Sequence, residues 1–234
     1  MKGRRIEPEI LDSLTTEDPR AVQSRRDLRR LNYLMRHAAI FDDQLGFSRG
    51  DFSPQRVVEL GGGDGWLLYE LLSRLPKTDD HREVVLVDRH PCVSSGVIGA
   101  LESSGWKVSI EEADLFDWLR KPCRGERFDF CLVNLLLHHF RDHEIQSLFD
   151  GIQKKSRSIA ACEPRRTRRS LLASYCVGLV GCNEVTRNDA VISVRAGFKE
   201  DDLTKLWPRT RQWTIQERPM GLFSHYFWAK EMDL

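Results

Sequence analysis

Residues 57–65 read Val57-Val58-Glu59-Leu60-Gly61-Gly62-Gly63-Asp64-Gly65, and no other stretch restricts the possible folds as tightly. A β-branched apolar run is interrupted at an acid, three consecutive glycines follow, and then an acid and a fourth glycine. Directly after comes Trp66-Leu67-Leu68-Tyr69-Glu70-Leu71-Leu72, with apolar residues at helical spacing. The unit reads as strand, glycine turn, helix. Glycines allow positive φ and carry no Cβ to block a ligand lying against the backbone. In doubly wound α/β folds, a turn of this kind at the carboxyl end of a parallel strand is where nucleotides are held.

The same alternation continues. Glu83–Asp88 is a second buried strand ending in an acid, with a helix opening at Pro91 and ending near Gly105. Trp106–Ile110 is a third strand, Asp114–Leu119 a helical turn, Phe128–Asn134 a fourth strand and Asp142–Lys155 a helix. Ser158–Cys162 is a fifth strand, ending at Glu163-Pro164. Near-continuous apolar strands separated by helices predict a parallel sheet covered on both faces. The tail predicts helices over 167–180, 188–196 and 200–206. Two strands follow, Gln212–Glu217 and Ser224–Lys230, joined across Arg218–Leu222 as an antiparallel hairpin. Ahead of the first strand, residues 6–14 predict a short helix. Asp18-Pro19 opens a second by N-cap and first-turn proline, and a third piece covers Ala38–Leu45.

The 234 residues, 41% hydrophobic and 30% charged, suit one globular unit with a sizeable core. The 36 basic and 35 acidic side chains nearly cancel, which argues against nucleic acid as a partner. The basic start Met1-Lys2-Gly3-Arg4-Arg5 has no apolar signal core behind it, and no stretch is long enough to span a bilayer. A soluble, cytoplasmic protein with a small-molecule substrate is expected. The six cysteines (Cys92, Cys123, Cys131, Cys162, Cys176 and Cys182) lack C-x-x-C spacing and read as reduced and structural. His138 and His139, being adjacent, are expected to point apart, so no metal site is expected.

The order Glu59-x-Gly61-x-Gly63-x-Gly65 departs from the dinucleotide fingerprint, which has position 66 as glycine where this chain has Trp66. It resembles motif I of the class I S-adenosylmethionine-dependent methyltransferases. Further blocks carry the same resemblance: Asp88, Ala113-Asp114, Asn134-Leu135-Leu136-Leu137-His138-His139-Phe140 and Glu163-Pro164. The His-His-Phe block is similar to that of the ubiquinone and menaquinone biosynthesis group. The resemblance implies a doubly wound, Rossmann-like fold. Its mostly parallel seven-stranded sheet would end in the C-terminal hairpin, with residues 1–50 as a helical lid and 51–234 as the cofactor-binding domain.

The resemblance also implies S-adenosyl-L-methionine as cofactor. Gly61, Gly63 and Gly65 would approach its methionine part, and Asp88 would accept the ribose hydroxyls, unless it caps the next helix. Asp114 would meet the adenine amino group with Leu115 on the ring face, alone or together with an N-cap role. Arg89 would pack its stem on adenine. Glu59 and Asp64 would brace the turn or meet the ammonium group, and Asn134 belongs to the same set.

A neutral hydroxyl acceptor needs a base with a pKa near working pH, and histidine fits. His139 is the first candidate, bordering the crevice after strand four, and His225 at the start of the last strand is the second. Glu163 and Arg165, with Arg166, Arg168 and Arg169 beside them, are candidate substrate contacts. Trp207, Trp213, Phe198 and Phe223 are candidate walls of an apolar pocket. Asn134-Leu135-Leu136-Leu137 is not an Asn-Pro-Pro-Tyr or Asp-Pro-Pro-Tyr block, which counts against a nucleic-acid-base or amide nitrogen acceptor. O-methylation of a small aromatic or polyketide-like hydroxyl in secondary metabolism is the leading expectation. C-methylation of a quinone precursor and a non-catalytic binding protein of the same fold are the alternatives.

Overall fold

The computed structural model describes residues 3–76, 82–122, 125–208 and 213–232. Strands β1 (Arg56–Leu60), β2 (Arg82–Asp88), β3 (Trp106–Glu112), β4 (Phe130–Asn134) and β5 (Ser158–Pro164) run parallel. The hairpin of β6 (Trp213–Met220) and β7 (Ser224–Glu231) adds antiparallel to β5. The order across the sheet is β3-β2-β1-β4-β5-β7-β6. Strand order therefore reverses between β1 and β4, and the carboxyl ends of these two strands flank the crevice where such sheets bind ligands.

Successive strand residues face opposite sides, and each side has its own core. Val57, Val84, Leu86 and Phe130 pack with Phe41 of α2 (His37–Leu45), Leu68 and Leu71 of α3 (Trp66–Leu72) and Leu101 of α4 (Ser95–Ser103). Val58, Val87, Cys131 and Val133 pack with Trp118 of α5 (Leu115–Arg120) and Phe149 of α6 (Asp142–Lys155). The remaining helices are α1 (Pro19–Leu34), α7 (Arg168–Tyr175), α8 (Glu184–Ala196) and α9 (Asp202–Leu206). Asp18 caps α1 as expected, accepting the Arg20 N–H at 2.8 Å with Pro19 behind it.

Several boundaries differ from the sequence reading, each for a local reason. The helix expected over 6–14 shrinks to one 3-10 turn, Leu11–Ser13. Pro8 offers no N–H, and the Asp189 carboxylate takes the N–H groups of Ile10 and Leu11 at 2.9 and 3.0 Å. The helix after β2 begins at Ser95 rather than Pro91. Ser94 accepts the Val97 N–H, while the Cys92 N–H is tied to the carbonyl of Gly63. The segment over 167–180 splits into α7 and a 3-10 turn, Val177–Val180, and the next helix starts at Glu184 under an Asn183 cap.

Strand β3 runs on to Glu112, and β4 starts only at Phe130, Phe128 making an isolated bridge to Ser156. The hairpin is longer than expected: Arg218, Pro219 and Met220 stay in β6, and Gly221–Phe223 make the turn. Met1, Lys2, Cys123 and Gln212 lie outside the described residues. Cys92, Cys131, Cys162, Cys176 and Cys182 are free thiols.

Candidate active site

The turn after β1 puts Gly61, Gly63 and Gly65 at φ of 69°, 51° and 68°. Their tasks differ. A Cβ on Gly63 would meet nothing within 4 Å, so its backbone lies open to the crevice. A Cβ on Gly65 would lie 2.9 Å from Leu86, so that glycine serves to seat α3 on β2. Gly65 is absent from the cavity wall, whereas Gly61, Gly62 and Gly63 are part of it.

A cavity of about 1130 Å³ opens above the ends of β1 and β4. Asp88, at the end of β2, is fastened to the glycine turn. Its Oδ2 accepts the Gly63 N–H at 2.9 Å and its Oδ1 the His90 N–H at 2.8 Å. Asp114 caps α5, accepting the Phe116 N–H at 2.9 Å, and its other oxygen accepts from Arg89 at 2.8 Å. Arg89 is thus paired with Asp114 at the rim, and Leu115 lies on the same wall. Asp64 accepts from Arg29 of α1 at 2.5 Å, and the Arg29 guanidinium stands 4.9 Å over the Trp66 ring.

Glu59 is 3% exposed, and its Oε2 has no hydrogen-bond partner among the described residues. Burial pushes its carboxyl well above the ordinary value, and Asp64 and Asp88 add to the shift by repulsion. A carboxyl raised in this way is neutral in both folded and unfolded chains under acid conditions. It penalises the folded state as pH rises past the unfolded value of 4.5. Glu59→Gln should therefore stabilise the protein at neutral pH. The gain should fade as the pH is lowered toward 4.5, which thermal melts across that range would check.

At the other end of the cavity, β4 gives way to a tight turn. Leu135 sits at φ 51°, a left-handed conformation costly for a side-chain-bearing residue. The 3-10 turn Leu137–His139 follows. Glu163, fully buried at the end of β5, organises it. Oε1 accepts the N–H groups of Leu136 and Leu137 at 2.9 and 2.8 Å, and Oε2 contacts His138 Nδ1 at 2.7 Å. Glu163 therefore braces the histidine turn, and it also lies on the cavity wall, where the sequence reading placed a substrate contact. Burial pulls the His138 imidazole down, but its hydrogen bonds to Glu163 and Glu9 and their charges outweigh that and carry it to about 9.

The two imidazoles do not diverge as expected. Their ring centres are 4.3 Å apart, and both rings approach Glu9. Glu9 stands between them and both rings turn toward it.

His225, the second histidine expected in the site, is not at the cavity. Ser224 reaches His37 on the cavity side at 3.0 Å, so its neighbour faces the opposite side of β7. There His225 is 1% exposed and meets Glu217 at 2.7 Å, while Glu217 caps α9 through Leu203 and Thr204. Arg165 is also off the cavity wall, donating to the Gly221 carbonyl at 3.1 Å, and Arg166 is buried against Asp202. Of the four tail aromatics, Phe223 reaches the cavity, whereas Phe198, Trp207 and Trp213 belong to the core beneath the sheet.

The sequence reading missed several wall residues. His37 lines the cavity, and burial lowers its imidazole to about 4, so it stays neutral at physiological pH. Glu9, Arg29 and Asp189 also line it. Arg4 secures the N-terminal segment. It donates to the carbonyls of Ala196 and Phe140 at 2.8 and 2.9 Å and sits 4.2 Å over the Phe198 ring. Nothing in the local sequence marks these residues, because their partners are far away along the chain.

Residues 57–157 match the family model described as a methyltransferase domain. That segment, from β1 to the end of α6, is thus similar to a methyltransferase domain. Solved structures support the fold over nearly the whole length. The plantazolicin methyltransferase BpumL, in complex with a triazolic desmethylPZN analog and SAH, is similar at 13% identity and a TM-score of 0.65, with 92% of each chain covered. An O-methyltransferase family protein from Burkholderia thailandensis is similar at 14% identity and a TM-score of 0.55, over 94% of this chain and 64% of the other. The mitomycin 7-O-methyltransferase MmcR is similar at 17% identity and a TM-score of 0.54, over 94% of this chain and 60% of the other. At such identities the likeness is one of fold alone: a mostly parallel sheet that ends in an antiparallel hairpin. No curated protein sequence matches the chain. Among the described residues, no helix is long and apolar enough to cross a membrane.

Proposed function

We propose that the protein is an S-adenosylmethionine-dependent methyltransferase acting on a hydroxyl of a small, largely apolar molecule, aromatic or polyketide-like, in secondary metabolism. The observation that carries this reading is the unpartnered Oε2 of Glu59 beside the open glycine turn, in one cavity with Asp88 and the paired histidines. A buried carboxylate oxygen without a partner calls for a cationic ligand, and the methionyl ammonium and the sulfonium are both cationic. Gly63 leaves room for that ligand at the backbone.

In this reading Glu59 and Asp64 receive the ammonium group, Asp88 the ribose, and Asp114 with Leu115 and Arg89 the adenine. Gly61, Gly63 and Asn134 border the same path. When bound, the cofactor supplies an electrophilic methyl carbon and a neutral thioether leaving group. The chain must hold the acceptor oxygen on the axis of the breaking C–S bond, keep water out and deal with the acceptor's proton. Apolar wall residues such as Leu28, Met35, Val177 and Phe223 fit an apolar acceptor. Residues 1–50 act as the lid, since Glu9, Leu28 and Arg29 lie on the cavity wall. The acceptor's proton is handled at the corner holding His139, whose side chain keeps 22% exposure beside the buried His138. The O-methyltransferases among the similar structures favour oxygen as the acceptor atom.

Calorimetry with S-adenosylmethionine tests the cofactor, and Glu59→Gln should weaken its binding about tenfold. Transfer of a labelled methyl group to a panel of phenolic and enolic acceptors tests the reaction. His139→Ala should lower turnover about a hundredfold or more with cofactor affinity unchanged. Full turnover in that variant would remove His139 from the chemistry.

A further inference from the structure

Glu9, His138 and His139 each offer one ligand atom, and the three atoms lie within 4.8 Å of one another on the cavity wall. Each imidazole is oriented by a carboxylate on its far side. His138 Nδ1 meets Glu163 at 2.7 Å, which leaves Nε2 facing Glu9 Oε1 at 3.3 Å. His139 Nδ1 meets Asp12 at 3.2 Å, which leaves Nε2 facing Glu9 Oε2 at 3.8 Å. Both histidines thus turn Nε2 toward one carboxylate, with a second carboxylate behind each ring, hydrogen-bonded in the case of His138. That is the arrangement by which proteins aim histidines at a metal ion.

The distances leave room for a shared ion. A charge-assisted hydrogen bond closes to roughly 2.7–2.9 Å, as His138 does with Glu163. The inner contacts are longer. Donors that share a tetrahedral ion at about 2.0–2.2 Å stand roughly 3.3–3.6 Å apart, which the 3.3 and 3.8 Å contacts bracket. Glu9, Asp12 and Glu163 bring three carboxylates to this corner, against Arg4 and the His138 imidazole, whose proton a metal ion would replace.

We propose that Glu9, His138 and His139 bind a divalent transition-metal ion, zinc by preference for this two-nitrogen, one-oxygen donor set, with an open position toward the cavity. A hydroxyl oxygen in that position would give up its proton to solvent water near neutral pH. The ionised oxygen forms the new O–C bond as the C–S bond breaks, and the sulfur keeps the electron pair. This chemistry rests on the methyl-transfer reading, and it makes His139 a ligand rather than a free base. The preferred acceptor is then a phenol or enol able to reach both the ion and the methyl group.

The test uses the full chain, stripped with chelator and titrated with cobalt(II) and zinc(II). One equivalent of cobalt should bind and give visible d–d absorption, displaceable by zinc. His139→Ala and Glu9→Gln should each weaken binding about a hundredfold, and Asp12→Asn about tenfold. His143→Ala, on an exposed histidine of α6, should leave it unchanged. Glu9→Gln and Asp12→Asn keep the proposal testable if the His139 variant folds poorly. Absence of stoichiometric binding, or binding indifferent to both Glu9→Gln and His139→Ala, overturns the site. Metal binding without any S-adenosylmethionine binding would overturn the functional reading and leave the metal site standing.

Discussion

Asp88→Ala is expected to weaken S-adenosylmethionine binding about a hundredfold, the largest loss of any single change at the cofactor end. Hydrogen bonds to a charged group contribute roughly 1.5–3 kcal/mol each, and every 1.4 kcal/mol is about tenfold in affinity. Asp88 would lose its contact to the ribose and also its hold on the glycine turn, where its Oδ2 accepts the Gly63 N–H. Asp88→Asn separates the two effects, because the amide oxygen can still accept from Gly63. That variant should show an intermediate loss. Calorimetric affinities within about threefold of wild type for both variants would contradict the ribose role.

Gly197→Ala is expected to be the most destabilising substitution away from the cavity. Gly197 follows α8, and an added Cβ would lie 2.1 Å from the Pro164 carbonyl oxygen. That oxygen already accepts the Phe198 N–H at 2.9 Å, and the Gly197 carbonyl accepts from Arg166 at 3.0 Å. Backbone meets backbone here, so no side chain can turn aside to relieve the clash. The cost should be about 3 kcal/mol or more, which for a chain of this size lowers Tm by roughly 10 °C. Gly99→Ala is the control. Gly99 lies inside α4 with open space around it, and alanine there should be neutral or stabilising by about 0.5–1 kcal/mol. Equal melting temperatures for the two variants would refute the packing argument.

The parallel core was legible in the sequence because its signals are local. Val57–Leu60 and Glu83–Asp88 are apolar runs of strand length, each ending where a turn residue stands. Asp88 could be aligned with the glycine turn because parallel strands put consecutive carboxyl ends side by side. The cavity's other half was not legible. Glu9 meets His138 through a segment whose proline blocks the helix that its apolar spacing predicts, and Asp189 captures that segment from far along the chain. His225 was misjudged because the first residue of a strand can face either side, and only the Ser224 contact with His37 decides which. Glu163 was placed at the correct rim. Its oxygens, however, satisfy backbone groups exposed by the irregular turn at Leu135, a need that no spacing rule announces.

The clasp between Asp189 and the N–H groups of Ile10 and Leu11 spans 179 and 178 residues. During synthesis the parallel strands can pair before α8 has left the ribosome, whereas the wall carrying Glu9 lacks the Asp189 clasp until then. The chamber thus closes only once α8 exists, against five parallel strands that all precede it in the chain. A nascent or C-terminally shortened chain lacking α8 would own the glycine turn and Asp88 yet have no roof.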